Sequence, residues 1–529
     1  MWEEEIIVKD ITEEEVRNAL SKLNNGRAAG MGEIPAELIK YAGDLSVQHL
    51  AETYNRIFRE KQPIRDIGEG ILIPLNKPNK DPVAKNTRPI TLLNCTRKIL
   101  SLIILERIYH KVDKFLNLGQ SGFRRKRGTS DILWSYRWMI ADAEKNESKY
   151  EIVAIDMSKA FDCINRKKLL EVLKEIIDPS EYQMIRYILS NTNLTARIKG
   201  EYGDRFDTTI GVPQGDALSP ILFTIYLEAA LREFRRENPI QTRAGSFDQD
   251  VLYADDTDLI TQIIGEGQDN AELVRKLSEV LGRWNLKVNT DKTEYIKINR
   301  DNMKEISIRK LGNLISSEKD IPYRISFANS MFRSLHKLWK NTREVSEQTK
   351  IDMYKACIMP IMTYNIGANG AGNRAIEAFD KAQRKHLKII CGIFYPINIK
   401  NRDLYERTGV EPVSIIATKQ RWGLFKRVAK LSKKTPARRI MSKFFTPTKR
   451  TSPGRPRLTI YTLLVEDLKL IGRPMKKKDE FKSIIKALKR EGENNDVIAQ
   501  AIIDEKLNRY YNPSNQNNSR LEGAASQHS

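Results

Sequence analysis

The sequence predicts an α+β chain, mixed to about residue 320 and helical beyond it. Three observations carry that prediction. Short apolar runs of strand character (GILIPL, YEIVAID, VLYADDTDLIT) alternate with segments of helical apolar spacing up to about residue 320. Past that point helical segments rich in Lys and Arg dominate (SMFRSLHKLWK, AFDKAQRKHLKII, KQRWGLFKRVAKL) and the strand signal fades. Charge follows the same division: of a formal net +22, residues 331–490 contribute 37 Lys/Arg against 12 Asp/Glu, or +25, and the rest sums to −3.

In chain order, residues 11–60 read as two helices, ITEEEVRNALSKL and IPAELIKYAG with its continuation, joined by the loop NNGRAAGMGE. Thr12 followed by Glu15 has the form of a capping box. GILIPLNKPNKDP is a short strand entering a Pro-rich basic turn, and TRKILSLIILERIYHKV is a helix. KYEIVAIDMSKAFDCI is a buried strand leading into a helix. ARIKGEYGDRFDTTIGV is a hairpin, SPILFTIYLEAALREF a helix, and VLYADDTDLIT a second hairpin. From about Glu491 the chain is polar and poor in apolar residues, which predicts a mostly disordered tail over 491–529.

A length of 529 residues allows three or four lobes at roughly 150 residues each. The longest purely apolar stretches, such as Leu102 to Leu105, fall far short of the roughly 18 residues of a membrane span. Cys95, Cys163, Cys357 and Cys391 form neither a disulfide framework nor a CxxC zinc pattern, and the acidic start MWEEEIIVKD is no secretory signal. An intracellular, soluble chain is expected. A positive field this concentrated is the footprint of a polyanion, with nucleic acid ahead of a membrane surface or an acidic protein.

Asp255 and Asp256 stand side by side between apolar shoulders, where burial and mutual repulsion both cost free energy. Carboxylates held together to bind divalent cations for phosphoryl transfer give such a placement a purpose, because the cation inverts the local electrostatics. In a regular strand the two would face opposite ways. Either a turn breaks that parity, or only one of them is a strong ligand, and a third carboxylate from another strand is required. Asp156, at the exit of YEIVAID, is the candidate; alone it reads as a turn or helix-start residue. In GVPQGDALSP, residues 211–220, the glycines and Pro213 bend the backbone. Ser219 and Pro220 form a helix start with Ser as N-cap, a junction suited to a phosphate or a nucleotide edge.

AIDMSKAFD, GVPQGDALSP and YADD, in this order, resemble the palm of reverse transcriptases, and more closely those of non-LTR (LINE-type) retrotransposons. RPITLLNCTRKILSLIILERI resembles the family's fingers motif, QSGFRRKRGTSD its Q-x-G-F segment, and LKVNTDKTEYI with IRKLGNLIS its last palm motifs. The resemblance spans most of residues 15–320. It implies a right-hand polymerase: an N-terminal helical extension (1–60), fingers and a palm with an antiparallel sheet (61–320), a helical thumb (321–400) and a basic helical C-terminal nucleic-acid-binding region (401–490). It implies an RNA-directed DNA polymerase extending a DNA 3′-hydroxyl on an RNA template, with dNTPs and two Mg²⁺ (Mn²⁺ as a substitute), in retrotransposition. Asp156 and Asp255 would be metal ligands, with Asp256 weaker or one shell removed. Phe161 would exclude a 2′-hydroxyl; without the flanking match it would read as a core Phe. Gln214 and Gly215 would line the nucleotide pocket, Arg88 and Lys77 would meet the triphosphate, and Lys292 would lie near the leaving pyrophosphate or simply edge a strand. Arg124, Arg125, Lys126 and Arg127 would hold template backbone. RWGLFKRVAKL and SPGRPRLTIYTLLVEDL resemble the basic C-terminal segment of such elements, and the Gly454–Arg457 stretch GRPR resembles a minor-groove hook.

One departure from the family lies at AAGMGEIPAE, where Gly32 and Glu33 stand in place of an Asp that many relatives carry before Ile-Pro. No endonuclease, ribonuclease H or CCHC pattern is visible, so the chain reads as the polymerase part of a larger element or a truncated open reading frame, with nicking supplied by a missing domain or in trans. Two other readings remain: a silent element remnant that binds RNA, and a maturase-like intron-encoded protein. A chromosomal target would place the protein in the nucleus, and KKTPARR and KRTSPGRPR have the composition of import signals.

Overall fold

A computed structural model describes residues 6–78, 81–83, 86–238, 248–263, 270–299, 309–340, 345–370, 372–444, 460–473, 478–491 and 496–511. The N-terminal helices are α1 (Glu13–Ser21), α2 (Ala36–Lys40), α3 (Asp44–Glu60) and α4 (Arg65–Gly68). Strands β1 (Glu69–Asn76) and β2 (Thr87–Leu93) precede α5 (Cys95–Phe115) and α6 (Thr129–Asn146). Then come β3 (Lys149–Ile155), β4 (Met157–Ser158), α7 (Arg166–Ile176), α8 (Pro179–Ser190), β5 (Asn193–Ile198), β6 (Glu201–Asp207) and α9 (Ser219–Glu237). A further set follows: β7 (Asp248–Tyr253), β8 (Asp256–Ile263), α10 (Asn270–Arg283), β9 (Lys287–Val288), β10 (Glu294–Ile298), β11 (Arg309–Lys310) and β12 (Asn313–Leu314). The remainder is helical: α11 (Ser317–Lys340), α12 (Glu347–Cys357), α13 (Met359–Thr363), α14 (Asn373–Ile390), α15 (Asn401–Thr408), α16 (Val413–Lys430), α17 (Pro436–Phe444), α18 (Ile460–Leu470), α19 (Lys478–Arg490) and α20 (Val497–Tyr511).

These elements form two compact units that interleave along the chain, 1–125, 153–259 and 267–295 in the first, 126–152, 260–266 and 296–529 in the second. The first contains a four-stranded sheet of order β2-β1-β5-β6, with β1 antiparallel to β2 and parallel to β5. A second four-stranded sheet has the order β10-β3-β8-β7, and a short antiparallel ladder joins β4 to β9. The first unit's core gathers Ile99, Leu100, Ile103 and Ile104 of α5, Met184 and Ile185 of α8, and Phe223 and Leu227 of α9. In the second unit Phe332, Tyr354, Phe379, Leu387 and Leu404 bring α11, α12, α14 and α15 around one core. Among the described residues no helix is long and apolar enough to cross a membrane.

The capping box is present: Thr12 accepts from the Glu15 N–H while Glu15 accepts from the Thr12 N–H. Residues 11–60 hold three helices instead of the expected two, because Gly43 breaks the run and Asp44 opens a new helix with an acid in its first turn. Ser219 is the first helical residue, not the cap: Leu218 takes the N-cap position and its N–H donates to Asp216 Oδ1 at 3.2 Å. After β3 the chain passes through β4 and a 3₁₀ turn at Ala160–Cys163, and α-helix begins only at Arg166.

Within the tail expected to be mostly disordered, Val497–Tyr511 form α20, whose Ile498, Ile502 and Ile503 are buried. Those residues sit at helical spacing, which the polar composition averaged over 491–529 conceals. Residues 512–529 and the GRPR stretch lie outside the described residues.

Candidate active site

The parity problem of the paired aspartates is solved by a turn. Strand β7 ends at Tyr253, Ala254 adopts φ +58°, and Asp256 already opens β8. Asp255 therefore sits on the turn itself. Asp156 leaves the end of β3, the strand next to β8. The β4–β9 ladder then brings the following segment across it: the Asn289 N–H donates to the Asp156 carbonyl at 2.8 Å. Lys292 Nζ donates to Asp156 Oδ2 at 2.9 Å and Asn289 Nδ2 to the same oxygen at 3.3 Å.

Burial raises the Asp255 carboxyl above the ordinary carboxylate range. The Asp156 charge raises it further, while Lys292 and Arg88 pull the other way. Asp156, Asp255, Lys292 and Arg88 thus share one electrostatic neighbourhood, with Asp256 half-buried beside them. Two carboxylates that disfavour each other's charge suit a divalent cation. No group of three or more His, Cys, Asp or Glu side chains stands together as a ligand set among the described residues.

Gly215 lies against β2. Gln214 accepts from the Thr91 N–H at 2.7 Å, so the loop continues the edge of the first sheet. Gly215 has φ +141°, and a Cβ there would stand 2.1 Å from the Thr91 carbonyl oxygen, so only glycine fits. Gln214 Nε2 donates to Asp162 Oδ1 at 3.1 Å. The loop is anchored from below by an ion pair that sequence reading missed, Arg97 Nε to Asp216 Oδ2 at 3.0 Å, with side chains 0% and 2% exposed. Phe161, half-buried on the 3₁₀ turn, stacks on Phe223 with centroids 4.6 Å apart and meets the edge of Phe123 at 6.4 Å.

Residues 75–352 match the reverse transcriptase (RNA-dependent DNA polymerase) family. The chain belongs to the reverse transcriptase family. The RNA-directed DNA polymerase of the mobile element jockey from Drosophila melanogaster is 24% identical over 422 residues, 74% of this chain and 45% of that protein. The Pol polyprotein of a type-1 R2 retrotransposable element from Popillia japonica is 29% identical over 201 residues, 36% of this chain and 27% of that protein. A solved apo telomerase from Candida tropicalis, truncated from its C-terminal domain, overlaps at a TM-score of 0.31 with 15% identity. That overlap covers 48% of this chain and 55% of the other. The chain spans less than half the length of the curated relatives it matches.

The remaining candidates divide. Arg88, on β2 opposite Leu75, is exposed and within electrostatic reach of Asp255. Lys77 follows β1, and its N–H donates to the Asn86 carbonyl. Arg124 is corrected: its side chain is 4% exposed and committed to Asp113 Oδ1 at 2.8 Å and to the carbonyls of Asp113, Asn117 and Gln120. It pins its own loop and presents no cation to a template. Arg125 is half-exposed, paired with Glu106 and stacked over Tyr109 at 4.1 Å. In the second unit, Lys126 is exposed, and its carbonyl accepts from Arg427 at 3.1 Å. Arg127 is half-buried and helps to stabilise the Asp131 carboxylate.

Proposed function

We propose that the chain extends a DNA 3′-hydroxyl on an RNA template with dNTPs, as the polymerase of a non-LTR retrotransposon. The observation that carries this reading is the shared charge environment of Asp156, just past the end of β3, and Asp255, just before the adjacent strand β8, with Lys292 and Arg88 acting on the same carboxylate. When bound there, two Mg²⁺ ions (or Mn²⁺) would lower the cost of ionising the primer hydroxyl and neutralise charge on the transferring phosphate. Asp156 and Asp255 would hold them, with Asp256 in support. Arg88 and Lys77 would meet the triphosphate as fixed cations, and Lys292 would attend the leaving pyrophosphate. Phe161, backed by Phe223, would close the space a 2′-hydroxyl needs, and the Gln214–Gly215 backbone would form the floor beside the base.

On this reading the β10-β3-β8-β7 sheet is the palm, β1 and β2 belong to the fingers, and 321–400 is the thumb. Residues 401–490 then form a basic nucleic-acid-binding region, with Arg125, Lys126 and Arg127 near the template. Primer extension on an RNA template with Mg²⁺ or Mn²⁺ tests the proposal. The parent should extend the primer, and the Asp255→Asn/Asp256→Asn variant should fall at least about a thousandfold. Folded parent that binds RNA yet extends nothing would refute it.

A further inference from the structure

The Q-x-G-F segment has no place in the catalytic roles above, yet it touches the carboxylate turn. Its backbone runs along the free edge of β7: Ser121 N donates to the Leu252 carbonyl at 2.8 Å, and Leu252 N to the Gly119 carbonyl at 3.1 Å. This alignment places the Gln120 side chain, 2% exposed, under the turn. Gln120 Oε1 accepts two backbone donors, Gly122 N at 2.8 Å and Ala254 N at 3.2 Å. Only the amide oxygen can accept both, which fixes the side chain's orientation. Gly122 permits the approach: a Cβ there would stand 2.3 Å from Ala254 N.

Ala254 needs such support. It is a non-glycine residue at φ +58°, a conformation held only where surroundings enforce it, and it immediately precedes Asp255. With Asp255 on a turn, outside the β7–β8 pairing, the Gln120 hydrogen bond to residue 254 is a direct constraint on where its carboxylate points.

We propose that Gln120 is a positioning residue for nucleotidyl transfer, fixing the Ala254–Asp255 turn and through it the Asp255 carboxylate. The inference rests on the polymerase reading for its functional half and on geometry alone for its structural half. The replacement Gln120→Met keeps the length and volume and removes the acceptor. Gln120→Glu keeps an acceptor oxygen in place. Gly122→Ala attacks the same contact from the other side.

Three readouts apply to the 529-residue chain: hydrogen–deuterium exchange of the peptide covering 251–256, Mn²⁺ binding without nucleic acid, and steady-state primer extension. Gln120→Met and Gly122→Ala should both speed exchange in that peptide and weaken Mn²⁺ binding. Both should lower kcat about tenfold, the effect of one lost hydrogen bond, while KM for dNTP stays within about twofold. Gln120→Glu should restore slow exchange. Unchanged exchange and kcat in Gln120→Met beside an active parent would overturn the proposal, as would faster exchange in Gln120→Glu equal to that of Gln120→Met. An inactive parent would instead defeat the polymerase reading, with exchange still deciding whether Gln120 holds the turn.

Discussion

Gly215 is the residue at which sequence and geometry agree most closely. Its φ of +141° and the 2.1 Å approach of the Thr91 carbonyl leave no room for a side chain, and the opposing atom is backbone that cannot swing aside. Gly215→Ala should therefore cost about 3 kcal/mol or more, from strain plus a displaced loop. The check is a lowered thermal midpoint together with a raised KM for dNTP. His386 makes a prediction of another kind. Stacked on Phe332 at 4.1 Å and bonded to Asn329 at 2.8 Å, it is buried, and burial, with Lys385 adding to it, pulls its pKa down to about 4. An unfolded imidazole titrates near 6.5, so between about pH 6.5 and 4 the unfolded chain binds a proton the native chain refuses. Stability from this residue is complete above pH 6.5 and is lost as pH falls through that window, by about 3 kcal/mol in all. His386→Asn should narrow the difference between thermal midpoints at pH 7.5 and pH 5; an unchanged difference would remove His386 from the account.

Among elements, α20 is the clearest case of structure that composition hid. Lys506 reaches Asp467 of α18 at 2.6 Å and Thr418 of α16 at 2.8 Å, and Asp467 also pairs with Arg421 at 2.8 Å. Burial pushes the Asp467 carboxyl up, but Arg421, Lys506 and the Trp422 N–H outweigh it and hold the group below its ordinary range. Asp467→Asn would leave Arg421, 1% exposed, and Lys506 without their counter-charge, a loss of about 3–5 kcal/mol visible in thermal unfolding. Ending the chain at 496 should lower the midpoint too, by exposing the faces that Ile498, Ile502 and Ile503 cover. What was legible in sequence was local: the Thr12–Glu15 box, the YADD hairpin with its turn, and the helix from Cys95, each set by residues a few positions apart. What was not legible depended on distant partners. Arg124 reads as one more cation in RRKR until Asp113 and three carbonyls close around it. Gln120 stands in the sequence only as the first residue of the Q-x-G-F match until β7 arrives from more than a hundred residues away.

At the scale of the whole molecule the decisive quantity is charge and where it lies. Residues 331–490 carry +25, all within the second unit, while the candidate carboxylates belong to the first. Binding and chemistry should therefore separate under mutation. Counterion release makes phosphate contacts salt-dependent, with a slope of about −0.7 per contact for a single strand; about six to eight contacts weaken binding ~300–2,000-fold between about 50 and 200 mM salt. Lys381 and Lys385 on α14, and Lys433 and Lys434 before α17, are exposed cations of this unit. Replacing all four with Gln should flatten the slope by up to about 3 and weaken RNA binding at low salt. Asp255→Asn/Asp256→Asn should leave the slope where it is while removing extension. Fluorescence anisotropy with a labelled RNA across a salt series measures the slopes, and primer extension measures the activity. A quadruple variant that keeps the parent's slope would mean these cations do not touch the strand. An Asp255→Asn/Asp256→Asn variant that loses RNA binding would mean that the carboxylate turn, and not the basic helices, organises the complex.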